Sequence, residues 1–330
     1  MPAKPKLKLP NNVLKHLEKK IAERVPNHLN PFIELADLLD LSKESIYRRF
    51  RGDTPFTLDE IWKISNVYKF SVDDLLQTIN GDTGVFRLID SSQCTLQEVV
   101  LKLQQIVSRS INDSTYRLYV FASDIPILRI VNYSNLFHLK WFHWQTNAHA
   151  SLQKEPRITL NHKPNSELSY DQYLHCNPYE FWPATILNTT LSQIHYYNQC
   201  NALIDEEMLY NMYSELITLV DDAIFKHENH NLVLYQYELA LQNVVYLVDQ
   251  GTSSFVAFTL SNSSIIYSDS AALITQYQTM KKQITQDSVK LTHQSIRNKV
   301  AFAALLKSKI FRSAKRILSD AQCLRLREQN

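Results

Sequence analysis

Only four glycines, Gly52, Gly81, Gly84 and Gly251, punctuate a chain of 330 residues. So few, so far apart, cannot build a G-x-G-x-x-G dinucleotide fingerprint, a phosphate-cradling P-loop or a G-x-S-x-G nucleophile elbow. They also disfavour an all-β fold, whose many tight turns need residues that accept positive φ. What remains is a mainly helical chain with at most a small sheet. The 45% hydrophobic and 21% charged residues are those of a folded protein. The length is enough for two or three domains.

The four cysteines, Cys94, Cys176, Cys200 and Cys323, form no C-x-x-C pair. The opening "MPAKPKLKLP" lacks the apolar core of a secretory signal. No apolar run approaches the ~20 residues of a membrane helix. A reduced, cytoplasmic protein without membrane association is the expectation. The net charge of +2 is unevenly placed. Residues 1–25 carry seven basic and two acidic residues, residues 81–280 ten and nineteen, and residues 281–330 twelve and three. Basic ends around an acidic middle either meet a polyanion or pack on that middle.

Three prolines in residues 1–10 predict a disordered basic arm. A compact set of five short helices is predicted over residues 11–80. The first, 11–25, has Asn11 or Asn12 as cap and Val13, Leu14, Leu17 and Ile21 as its apolar stripe. A second opens at Asn30 or Pro31 and a third at Ser42, with Gly52 placed to stop it. Thr57 and Glu60 form a capping box for the fourth, and Ser71 caps the fifth. "NGDTGVF" marks a boundary, and residues 81–94 read as a linker. Beyond it, residues 95–330 read as an α+β region. An amphipathic helix is predicted over 95–110, a strand over 116–127, then an aromatic-rich helix, a loop over 150–180, and helices at 183–203 and 205–225. Four β-branched and aromatic runs between 231 and 269 predict strands of a small, partly antiparallel sheet. From Ser270 onward the pattern is helical.

Residues 32–51 are the most specific stretch. Leu35 and Leu39 share one helix face, and Ile46 meets them from the next helix. Ala36 sits where two crossing helices come closest. Asp40, Leu41 and Ser42 make a short turn, with Ser42 capping the third helix. With Ile46 and Phe50 turned inward, Lys43, Glu44, Tyr47, Arg48 and Arg51 point outward. The spacing resembles the lambda-repressor-like helix-turn-helix of bacterial and phage repressors over residues 30–76, apart from Asp40, where glycine is usual. That resemblance implies binding to double-stranded DNA, with the recognition helix 42–51 in the major groove. Ser42, Lys43, Glu44, Tyr47 and Arg48 fall at the positions that read bases and phosphates. Arg48 suits guanine, and Glu44 suits cytosine N4 or the orientation of Arg48. Arg49 and Arg51, with Lys43 and the arm lysines Lys4, Lys6 and Lys8, suit phosphates.

"YVFASDIPILRIVNYSNLFHLKWFHWQ" is similar to a segment that follows this motif in a poorly characterised group of bacterial regulators. Ala122, Asp124, Ile125, Pro126, Ile127, Phe142 and Trp144 carry the likeness. No nucleophile, base and oxyanion donors assemble along the chain, so an enzyme is not expected. His138, His143 and His149 are spaced by five and six, off the i, i+4 spacing of helical ligands, and "HENH" at 227–230 is one residue short of H-E-x-x-H. Neither a metal nor a cofactor is expected. The aromatic runs at 116–144 and 233–258 fit a core, a dimer interface or a small-molecule pocket. The basic face of the last helices fits packing, dimerisation or phosphate contact. The expectation is therefore a bacterial transcriptional regulator, a homodimer responding to a small-molecule or protein effector. The alternative is a regulator acting through protein contacts, whose helix-turn-helix no longer binds DNA.

Overall fold

The computed structural model describes residues 11–22, 24–25, 29–68, 70, 72, 75, 86–89, 96–108, 115–148, 170–203, 205–226, 233–238, 243–250, 254–261, 264–291 and 295–328. The chain divides into two compact units, Met1–Val85 and Phe86–Asn330. The arm with Lys4, Lys6 and Lys8, most of the proposed linker and His149 lie outside the described residues.

The first unit is helical: α1 (Asn11–Ala22), α2 (Pro31–Leu39), α3 (Lys43–Phe50) and α4 (Leu58–Tyr68). The stripe of α1 lands in the core, with Leu17 and Ile21 fully enclosed. Leu35, Ala36 and Leu39 of α2, Ile46 of α3 and Ile61 and Ile64 of α4 complete it. Each large aliphatic buried in this way contributes roughly 1.5–3 kcal/mol.

The second unit is built on a mixed eight-stranded sheet in the order β1-β7-β6-β5-β2-β3-β4-β8. The strands are β1 (Arg87–Ile89), β2 (Arg117–Phe121), β3 (Tyr179–Trp182), β4 (Val233–Gln236), β5 (Val245–Asp249), β6 (Phe255–Ser261), β7 (Ser264–Ser268) and β8 (Val289–Leu291). β2, β3 and β4 are parallel and central, and the remaining pairings are antiparallel. The unit is thus α+β as expected, with three strands more than the sequence signals, namely β1, β3 and β8. β1 and β8 are the two edges and only three residues long, short enough to limit edge-to-edge pairing. β2 stops at Phe121, before Asp124 and Pro126, and a single helical turn, α6 (Ile127–Ile130), replaces the expected strand end.

Helices cover both faces, so alternate residues of every central strand enter different cores. Leu118, Val120, Trp182, Leu234, Tyr246 and Val248 face the larger core. It is packed by α5 (Leu96–Ser108), α7 (Ser134–Ala148), α8 (Tyr170–His175), α9 (Asn188–Gln199), α10 (Glu206–Asp221) and α12 (Ile296–Ala314). Phe121, Phe181, Tyr235, Val245 and Leu247 face the opposite way, where α11 (Ala271–Asp287) lies with Ile284 inward. Parallel register places Phe121, Phe181 and Tyr235 side by side, and their rings stack at 4.9 and 4.8 Å.

The basic C-terminal segment meets the acidic middle at several points. Lys307 pairs with Asp221 at 2.7 Å and Arg325 with Glu207 at 3.3 Å. Lys309 donates to the Ala184 carbonyl at 2.7 Å, and Lys281 holds Asp249 at 2.7 Å. Of the two roles open to this charge, packing accounts for these cations.

Candidate nucleic-acid interface

The turn between α2 and α3 depends on the backbone of Asp40. Its φ of 54° and ψ of 49° are left-handed, a conformation that aspartate tolerates better than most residues but that glycine adopts without strain. The Leu41 N–H then donates to the Ala36 carbonyl at 2.9 Å and the Asp40 N–H to Asp37 at 3.4 Å, the bonding pattern of a Schellman motif. The small side chain of Ala36 and the half-buried Leu41 close the crossing. Aspartate therefore performs the turn in place of glycine. Replacing Asp40 with glycine is expected to stabilise the first unit by roughly 0.5–1 kcal/mol, and valine to destabilise it by about 1–2 kcal/mol. Thermal unfolding of the variants checks both signs.

α3 begins at Ser42, whose hydroxyl accepts from the Ser45 N–H at 3.2 Å. It ends at Gly52, where φ is 75° and the Asp53 N–H reaches the Arg48 carbonyl at 2.9 Å. Between them, Ile46 is 0% exposed and pins the helix to the core. Phe50 packs edge-on against both Phe32 and Phe56, each at 5.3 Å.

The outward residues do not form one uniform set. Lys43, Glu44, Arg48 and Arg51 are exposed. Glu44 lies between two arginines, 3.6 Å from Arg48 Nε and 3.3 Å from Arg51 Nη2. Arg51 also reaches Asp53 at 3.2 Å. At 60% side-chain exposure for both arginines such pairs are weak and exchange readily for a phosphate or a base edge. Tyr47, expected to point outward, is half-buried because its ring stacks on Phe32 at 4.6 Å. The Lys43 ammonium lies 6.0 Å from the centre of the same ring.

Arg49 is engaged within the first unit. The sequence suggests a phosphate contact, but its side chain is 13% exposed and turned onto Glu60 of α4. Nε donates to one carboxylate oxygen at 3.0 Å and Nη2 to the other at 2.7 Å. The same Glu60 closes the capping box, accepting from the Thr57 N–H at 2.8 Å while its own N–H donates to the Thr57 hydroxyl at 3.2 Å. Burial acts to raise the pKa of Glu60. Arg49 and Thr57 outweigh it and hold the carboxyl below the usual glutamate value. The capping box is visible in sequence. Its tie to Arg49, eleven residues earlier, is a tertiary contact with no local signature.

The other candidates fall elsewhere. His138 is buried, with Nδ1 against the Ser134 carbonyl. His143 Nδ1 lies 2.6 Å from the Tyr197 hydroxyl. Among the described residues no group of three or more His, Cys, Asp or Glu side chains is placed to hold a metal. No helix among them is long and apolar enough to cross a membrane.

No curated protein and no solved structure matches the chain. Residues 11–108, a little under a third of the chain, match the BetR domain, a family of helix-turn-helix DNA-binding domains in bacterial regulators.

Proposed function

We propose that the protein is a sequence-specific transcriptional regulator of the lambda-repressor-like type, which reads duplex DNA with α3 and senses or dimerises through its C-terminal unit. It acts in the cytoplasm as a regulator rather than an enzyme. The observation that carries this reading is the α2–α3 crossing closed by Asp40, with Lys43, Glu44, Arg48 and Arg51 exposed on its outer face. Arg48 is assigned to a guanine edge, where a guanidinium donates to O6 and N7 together. Glu44 holds it in place before contact and can accept from a neighbouring cytosine. Lys43, Arg51 and the arm lysines Lys4, Lys6 and Lys8 contribute affinity from phosphates. A two-fold dimer would place two α3 helices on half-sites about one DNA turn apart.

Selection of bound genomic fragments followed by gel shifts tests the assignment. Arg48→Ala is expected to cost roughly 1–3 kcal/mol on the selected site and to relax preference at one base pair. Lys6→Ala is expected to weaken all sequences about equally and to lower the salt dependence by about one counterion. An Arg48→Ala protein with unchanged sequence preference would show that α3 enters the groove in another register, or not at all.

A second reading has one observation in its favour. Leu58 and Trp62, one turn apart on α4, are 78% and 62% exposed, which suits a protein contact by this unit. Absence of any gel shift at low salt, with complex formation lost in Trp62→Ser, would favour it.

A further inference from the structure

A cavity of about 190 Å3 lies in the C-terminal unit, lined by residues of α5, α7 and the sheet. It is somewhat larger than the roughly 150 Å3 cavity that accommodates benzene. Leu96, Val99 and Val100 of α5 make an apolar wall.

The polar part of the lining is already balanced in charge. Lys140 Nζ donates to Asp124 at 2.7 Å and to Gln193 at 2.8 Å. The other oxygen of Asp124 accepts from the Thr190 hydroxyl at 3.1 Å and the Ile125 N–H at 2.9 Å. One cation and one anion cancel within the wall, and the His143 ring beside them is engaged by Tyr197.

Trp144 differs from these. It lines the cavity, is 4% exposed, and its indole Nε1–H has no hydrogen-bond partner among the described residues. The hydroxyl of Tyr246, another lining residue, is likewise buried and unmatched. An indole N–H can only donate, and leaving it buried and unpaired is costly. The missing partner is therefore an acceptor. A carboxylate would bring a buried charge that the neutral Lys140–Asp124 pair does not compensate. A carbonyl oxygen brings the lone pairs without the charge.

We propose that this cavity binds a small uncharged carbonyl compound about the size of one substituted ring, its apolar body against α5 and its oxygen accepting from Trp144. What binding would do rests on the regulator reading above. α5 falls inside the segment matching the BetR domain, although it folds in the second unit. A ligand touching Leu96, Val99 and Val100 thus acts on a helix that belongs to the same sequence family segment as the DNA-binding helices.

Titration calorimetry on the full chain with benzamide tests the site. Saturable binding is expected, with benzoate at least tenfold weaker. Trp144→Phe is expected to weaken benzamide at least fivefold, and Val100→Phe, which adds bulk to the α5 wall, to abolish binding. Circular dichroism of both variants verifies that they are folded, and Trp144→Phe alone decides if Val100→Phe is not. No saturable benzamide binding, or undiminished binding by a folded variant, overturns the site. Benzoate binding as tightly as benzamide overturns the uncharged head. The readout is heat and not DNA binding, so a missing gel shift and a missing titration point to different failures.

Discussion

Replacing Glu180 with alanine is expected to destabilise the C-terminal unit by on the order of 3–5 kcal/mol, because it strands a buried charge. Arg129 and Glu180 are both 0% exposed, and Arg129 Nε lies 3.0 Å from Glu180 Oε2. The carboxylate also accepts from the Tyr173 hydroxyl at 2.6 Å and from the Trp182 indole at 2.8 Å. The guanidinium donates to the Tyr170 hydroxyl at 2.8 Å, with the Trp182 ring centre 5.2 Å away. α6, α8 and β3 thus meet at one ion pair. Arg129→Ala should be similarly severe, since it leaves the carboxylate uncompensated. The double change Arg129→Met with Glu180→Met should recover much of the loss, because both charges leave together. Denaturant unfolding of the three proteins measures the coupling. Single losses below about 1 kcal/mol would mean that the pair is solvated in solution.

The second large effect is expected at Glu60. Its carboxylate joins α3 to α4 through Arg49 and closes the α4 cap through Thr57. Glu60→Ala removes a cap worth about 1 kcal/mol and a two-pronged charge-assisted contact worth about 1.5–3 kcal/mol, so a loss of roughly 2–4 kcal/mol is expected in the first unit. DNA binding should fall with it, although Glu60 is given no contact with DNA, because α3 loses a tether. The pH dependence has a definite sign. The folded pKa of Glu60 lies below its ordinary value, so its stabilisation is full above the ordinary glutamate range and is lost as pH falls through the folded value. The gap between wild type and Glu60→Ala should therefore be widest at neutral pH and narrow on acidification. A gap independent of pH would assign the loss to packing and not to charge.

Local signals mark the first unit well. The α1 stripe, the Ser42 cap, the Thr57–Glu60 box and the Gly52 stop each involve residues within a few positions of one another, and each is found where the spacing places it. The second unit is less legible. β3 is four residues long and lies inside the sheet between β2 and β4, its last three residues buried, so "YEFW" shows no regular alternation of apolar and polar residues. β1 and β8 are too short to show any period. Arg129 carries a faint signal, a lone charge inside the apolar run "IPILRIV", but nothing near it indicates Glu180, 51 positions on.

The sequence by itself determined the helix-turn-helix, because caps, turn and apolar stripe act over a span of about one or two helical turns. It also placed Lys43, Glu44, Arg48 and Arg51 on the outer face of α3 by turning Ile46 and Phe50 inward, although Tyr47, set outward with them, stacks on Phe32. Tertiary structure alone decided which of those side chains are available to a ligand. Arg49 and Arg51 are two positions apart and chemically identical, yet one is clamped by Glu60 and the other is exposed. The same holds for the parallel strands, the buried Arg129–Glu180 pair and the cavity beside α5. Each joins residues far apart in the chain, and their pairing is set by which surfaces the core brings together.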